Sequence, residues 1–368
     1  MHQNNLSEKK IAIITPSLAN GGTERVSSLI SKVLFSSGYD VDIFPVYQTV
    51  GYSYNGTLKP LNVKKKSPFI LFYLLRAFFS LCSHLNKRKY DIIIDFRSRK
   101  NAFYEILFMK LIYPDVSKVI FTFHLSLIEK YIPKPLSVFT NLYNKGYACV
   151  SVSNAINEKL KLIGLKKSMT ILNPIDFDYI NKLSEHKLDI SFPFVLLAGR
   201  MNDNIKQFDH AIDCYSKSLL PDMGIQLIIL GEGELRHNLE LYAANKICTQ
   251  NIHFHGFVEN PFKYYYNAMF FVLTSEFEGF PMVLIESLSC GTPVVSYNCP
   301  TGPNEIIQHE KNGLLVKAND KQKMTNAMNR MVEDKGLYNK LCANAKNSVA
   351  HLSMDKIAAE WQSLIEKI

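Results

Sequence analysis

The apolar positions of this chain fall into short β-branched runs separated by longer stretches with helical spacing. In the first half the runs are residues 11–17, 40–46, 91–96, 118–124 and 148–153; in the second they are 194–200, 225–233, 252–257, 270–275 and 293–298. Near-continuous apolar runs of this length predict strands buried on both faces of parallel sheets. Their alternation with helical segments predicts an α/β architecture, and its recurrence on either side of a polar stretch near residues 172–191 predicts two domains. The expected boundaries are 1–177, 178–350 and a closing helical segment, 351–368, which holds the only tryptophan, Trp361. Each half reads as a doubly wound sheet, a fold whose ligands bind at the carboxyl ends of the strands. Two such domains facing each other would leave a deep cleft, a favoured place for a ligand.

At 368 residues the chain is long enough to bury two cores, and 47% hydrophobic with 20% charged residues excludes a disordered protein. Its seven cysteines include no C-x-x-C pair, which argues against a disulfide framework or zinc site and for a reducing compartment. The opening MHQNNLSEKK runs straight into a strand-like segment without an apolar leader, so a cytoplasmic location is expected. Charge is uneven. Residues 1–180 carry 24 Lys and Arg against 12 Asp and Glu, whereas residues 181–368 carry 18 against 21. A basic first half points to nucleic acid, an anionic membrane surface or an anionic acceptor. Much of the excess flanks Pro68–Leu85, which lies between Lys64, Lys65, Lys66 and Lys87, Arg88, Lys89 and contains Arg76 and His84. The segment is too short and interrupted for a membrane span. Two readings stay open: a helix buried in the first domain, or an interfacial helix with basic ends on anionic headgroups.

The segment Ser275–Pro303 sets Glu278 and Glu286 eight residues apart around Pro281, which suits the first position of a helix. Were all eight helical, the carboxylates would lie about 12 Å apart. That spacing suits an elongated ligand held at both ends, with the free N–H groups of a helix start aimed between them. A nucleotide-sugar has this shape; surface glutamates on an amphipathic helix are the plainer alternative. Gly21 and Gly22 open a helix after the first strand, where backbone can approach a phosphate or sugar closely. Gly199 and Arg200 end a strand and Lys206 follows, two cations able to neutralise a diphosphate. His124 closes another strand, and Arg97, Arg99 and Lys100 follow a third, as acceptor-phosphate contacts or as solvated loop cations. The turn Gly231-Glu232-Gly233 lacks the third glycine of a dinucleotide fingerprint. Asp40 and Asp42 form a D-x-D, but within an alternating run that reads as a strand edge; His253 and His255 lack a third ligand. No metal site is expected.

The string EGFPMVLIESLSCGTPVVS, within SEFEGFPMVLIESLSCGTPVVSYNCPTGP, resembles the signature of family 4 of the retaining glycosyltransferases, which have the GT-B fold: two Rossmann-like doubly wound domains facing across a cleft. The resemblance is strong over residues 194–316 and looser in the first half. It implies a metal-independent, retaining transfer of a sugar from a nucleotide donor, with no cofactor. In that picture Arg200 and Lys206 stabilise the departing diphosphate, Glu286 holds the ribose hydroxyls, and Glu278 with the N–H groups of Gly279 and Phe280 orients the hexose. Gly21 and Gly22 lie over the diphosphate and sugar, His124 contacts them, and the base sits near Phe257 and Val258. The family pattern places a lysine five residues after the arginine, usually followed by glycine; here it is six residues on and Gln207 follows. The turn Pro300–Pro303, followed by Asn304 and Glu305, is similar to enzymes that build lipopolysaccharide, capsule or lipid-linked oligosaccharides, often moving hexose or N-acetylhexosamine from a UDP donor. The resemblance therefore implies a glycolipid or lipid-linked acceptor and a peripheral position on the inner face of the cytoplasmic membrane. A nucleic-acid-binding protein would explain the basic half, but no recognition motif interleaves aromatic with basic residues. An oxidoreductase would explain the paired halves, but no G-x-G-x-x-G follows the first strand.

Overall fold

The structure, a computed structural model, describes residues 9–19, 21–64 and 67–367. The first eight residues, Asn20, Ile368, and Lys65 and Lys66 of the basic run lie outside the described residues. The chain divides into two compact units. One takes in the chain up to Pro174 together with the segment from Met354 onward; the other runs from Ile175 to Ser353.

In the first unit the strands are β1 (Lys10–Thr15), β2 (Asp40–Pro45), β3 (Thr57–Leu58), β4 (Ile92–Asp95), β5 (Val119–Phe123), β6 (Ala148–Ser151) and β7 (Ser168–Thr170). They form one parallel sheet in the order β3-β2-β1-β4-β5-β6-β7. The central strands are buried along almost their whole length, as their apolar composition predicts. Strand order reverses between β1 and β4, and the loops leaving these strands carry Gly21, Gly22 and Arg97. The helix Met354–Ile365 returns to this unit. It buries Ile357, Trp361 and Ile365, packs on the helix Gly22–Ser36, and its Leu364 carbonyl accepts a hydrogen bond from the Tyr147 hydroxyl (2.9 Å).

The second unit repeats the plan. Strands β8 (Phe194–Ala198), β9 (Gln226–Leu230), β10 (Ile252–Gly256), β11 (Phe271–Leu273), β12 (Val294–Asn298) and β13 (Gly313–Lys317) pair in parallel in the order β10-β9-β8-β11-β12-β13. Here order reverses between β8 and β11, the place where doubly wound sheets open a crevice for ligand. The loops leaving those two strands hold Gly199–Lys206 and Ser275–Pro281.

Candidate functional site

At the end of β8 the chain turns at Gly199, and a short 3-10 turn, Asn204–Lys206, begins where the Asp203 carboxylate accepts from the Ile205 N–H (3.2 Å). Two donors stitch this loop to the one leaving β11. The Thr274 hydroxyl is shared between the carbonyls of Lys206 and Gln207 (3.0 and 2.9 Å), and the Glu276 N–H donates to the Ile205 carbonyl (2.8 Å). The stem of Lys206 then runs beside Gly199, and its Nζ meets Glu278 Oε1 at 2.5 Å. A charge-assisted pair results, with Glu278 itself buried. The Thr301 hydroxyl donates to the Glu278 carbonyl, and Gly302 packs hard on the Gly279 carbonyl, so the Pro300–Pro303 turn supports the acidic loop from behind.

Pro281 stands one position earlier than expected. Its ψ of 102° is extended, so it caps the helix Met282–Ser289, its carbonyl accepting from the Leu284 N–H (3.1 Å). Only residues from Met282 onward follow the helical rise, and the 12 Å ruler does not apply to the loop half of the span. Glu286 lies in the second turn, buried. A thiol accompanies each carboxylate: burial, with Glu278 beside it, pushes Cys299 up to about 12, and burial with Glu286 does the same for Cys290. Both remain protonated at neutral pH.

Arg200 is exposed and stands outside the ion pair of Lys206 with Glu278. Gln207 adopts a left-handed backbone (φ 45°), which explains why a glycine is usual there; its amide Nε2 donates to Asn319 Oδ1 (3.0 Å). The Gly231–Gly233 turn has a structural task. A Cβ on Gly231 would fall 1.9 Å from the Gly199 carbonyl oxygen, and one on Gly233 would fall 2.2 Å from the Met201 carbonyl carbon. The turn therefore presses directly on the loop that carries Lys206. Phe257 is exposed and Val258 half-buried on the loop leaving β10, which the Gly256 carbonyl ties to the Gly231 N–H (2.7 Å). In the run Tyr264-Tyr265-Tyr266 that follows, Tyr264 and Tyr265 are core residues and Tyr266 is exposed. Sequence reasoning missed Thr274 and Thr301, whose hydroxyls act only on backbone carbonyls and leave no spacing signal, and Ser275, fully buried with an unpartnered hydroxyl.

In the first unit Gly21 caps the helix Gly22–Ser36, and the Glu24 carboxylate folds over its Cα. Gly22 faces open space. His124 stacks on Phe96 (5.1 Å between centroids) and lines a small cavity with Val26, Ile30, Asn173 and Trp361. Burial and then the nearby Arg99 cation push it down to about 3, so it is neutral at physiological pH. The Tyr131 hydroxyl lies against the His124 backbone and the Thr23 side chain.

Neither reading of Arg97 and Arg99 stands. Arg97 grips Asp95 with two bonds (3.0 and 2.8 Å) and reaches Glu105 (3.3 Å) and the Tyr113 hydroxyl (3.0 Å). Arg99 is buried and donates to the carbonyls of Asp95, Arg97 and Thr122 (3.2, 3.1 and 2.8 Å). Their charges are spent inside the fold, which the sequence order could not reveal because the partners come from other elements. Lys100 alone remains exposed. Asp42 is likewise occupied by Lys59 (2.7 Å), Arg88 (2.6 Å) and Tyr90, and Asp40 by Arg88 (2.5 Å). His253 pairs with Gln226, and among the described residues no cluster of three or more His, Cys, Asp or Glu is arranged to hold a metal ion.

Residues 181–348 match the family described as Glycosyl transferases group 1. The matched stretch spans almost the whole of the second unit. Along its length the chain is similar to the N-acetylgalactosamine-N,N'-diacetylbacillosaminyl-diphospho-undecaprenol 4-alpha-N-acetylgalactosaminyltransferase of Campylobacter jejuni, 27% identical over 96% of this chain and 98% of that one. It is also similar to the amylovoran biosynthesis glycosyltransferase AmsD of Erwinia amylovora, 26% identical over 97% and 99%. Among solved structures, Anabaena Alr3699/HepE in complex with UDP-glucose superposes with a TM-score of 0.78 at 18% identity, covering 98% of this chain and 100% of that one. S. aureus TarM, solved as a mutant with UDP, gives 0.77 at 14% identity over 97% and 99%. The fold is GT-B, and the chain is a glycosyltransferase.

Proposed function

We propose that the protein moves a hexose or N-acetylhexosamine from a UDP-linked donor to a lipid-linked glycan, retaining the anomeric configuration and without a metal ion. The observation that carries the reading is the 2.5 Å contact between Lys206 and Glu278 at the switch point of the second sheet. It sets a cation and a carboxylate side by side, where a diphosphate and a sugar need one each. Donor binding exchanges partners: the diphosphate takes Lys206 and draws in the free Arg200, while a sugar hydroxyl donates to Glu278. Buried Glu286 accepts from the ribose hydroxyls, the N–H groups of Gly279 and Phe280 meet the sugar, and Phe257 and Val258 border the base. As the anomeric C–O bond breaks, its electron pair passes to the diphosphate, whose charge Lys206 and Arg200 neutralise. The acceptor oxygen attacks from the same face and gives its proton to the departing phosphate.

The first unit, with Gly21, Gly22 and neutral His124 as substrate contacts, takes the acceptor. Support for a lipid-linked acceptor comes from the C. jejuni relative, named for a diphospho-undecaprenol substrate, and for a UDP donor from the Anabaena complex. Among the described residues no helix is long and apolar enough to cross a membrane, so such an acceptor would be met at the bilayer surface.

Thermal-shift screening against UDP-, GDP-, ADP- and CMP-sugars with EDTA tests the reading. Selective stabilisation by a UDP-sugar, lost in Glu286→Ala and kept with slowed transfer in Arg200→Ala, is the expected result. Stabilisation that requires a divalent ion would overturn the diphosphate role of Arg200 and Lys206.

A further inference from the structure

The helix Ile70–Arg88 buries only Ala77, Leu81 and Leu85 among its nineteen residues. On the opposite face Leu71, Phe72, Leu75 and Phe79 are 63%, 63%, 50% and 67% exposed. At 100° per residue these four fall within an arc of about 100°. Phe69 just before the helix is exposed as well, and so is Leu111, on the segment packed beside the helix where Cys82 Sγ meets the Leu111 carbonyl (3.2 Å). An apolar stripe this dense is unusual on a water-facing helix and marks an interaction surface.

Charge chooses the partner. Residues 43–90 contain eight Lys and Arg and not one Asp or Glu. Lys59 and Arg88 are drawn inward by Asp42, but Lys64, Arg76, Lys87 and Lys89 are exposed, Arg76 on the helix itself. A two-fold pairing of the chain with itself through this face would set these cations against their own copies, with no carboxylate on the helix to answer them. An anionic bilayer satisfies both features at once, taking the apolar face among its acyl chains and the cations among its headgroups.

We propose that helix Ile70–Arg88 is a bilayer-docking element, lying in the interface of an anionic membrane with Leu71, Phe72, Leu75 and Phe79 inserted and Arg76 and Lys87 at headgroup level. This deepens the reading of a membrane-held acceptor and rests on it for its purpose, but not for its measurement. The test is co-sedimentation of the full chain with phosphatidylcholine–phosphatidylglycerol vesicles and with phosphatidylcholine alone, without donor. Wild type should pellet with the anionic vesicles and be released by salt. The variant Phe72→Ser/Leu75→Ser/Phe79→Ser should lose about tenfold or more of its partitioning, and Arg76→Gln/Lys87→Gln should lose the preference for anionic lipid. UDP-sugar stabilisation, measured on every variant, should be unchanged and so reports folding and the donor site separately. Wild type that stays in the supernatant overturns the proposal, as does a concentration-dependent dimer that the triple variant abolishes.

Discussion

His124 carries a pH dependence that is open to measurement. Burial and Arg99 hold it at about 3, while an unfolded chain would protonate it near 6.5. Its contribution to stability is therefore complete above pH 6.5 and is lost as pH falls from there toward 3, by up to about 1.4 kcal/mol per pH unit. His124→Gln should flatten this part of the profile, and chemical denaturation of both proteins between pH 7 and about 5 checks it; parallel curves would refute it. At this scale the sequence was legible where candidates share one string or one strand end: the lysine six residues after Arg200, displaced from the family spacing, is the one that reaches Glu278. It was illegible where a side chain's fate depends on distant partners. Nothing near Arg97 in the chain announces that Tyr113 and Glu105 will enclose it.

Among elements, the interlock between the Gly231–Gly233 turn and the β8 loop makes a sharp prediction. Gly233→Ala forces Met201 to move, and we expect about 1–3 kcal/mol of destabilisation together with weaker donor stabilisation, because the displaced loop carries Lys206. A melting curve with and without UDP-sugar checks both; a loss of stability with unchanged donor binding would separate the turn from the site. The ten apolar runs all became strands: nine are buried almost throughout, which leaves a near-continuous apolar signature, and β10, at a sheet edge, is partly exposed. Strands β3, β7 and β13 went unseen for a physical reason. Thr57–Leu58 and Ser168–Thr170 are two- and three-residue edges that stay partly exposed, and Gly313–Lys317 opens on a glycine that a turn would also use. The Pro68–Leu85 segment did form a helix, but one largely uncovered rather than buried.

For the whole molecule, the return of Met354–Ile365 to the first unit means that a chain stopped after Ser353 should lose stability unevenly. The second unit, contiguous and with its own core, should keep UDP-sugar stabilisation. The first, stripped of Trp361 and Ile357, should melt earlier and be cut sooner by protease near Val26 and Ile30, which line the cavity that Trp361 closes. Calorimetry resolving two transitions, with only one shifted, is the expected outcome; a single transition shifted as a whole would contradict it. Domains usually fold in the order in which the ribosome makes them. Here the helix that completes the first unit is translated after all of the second. The amino-terminal half must therefore wait, with the apolar surface beside His124 uncovered, until its younger neighbour has had time to fold.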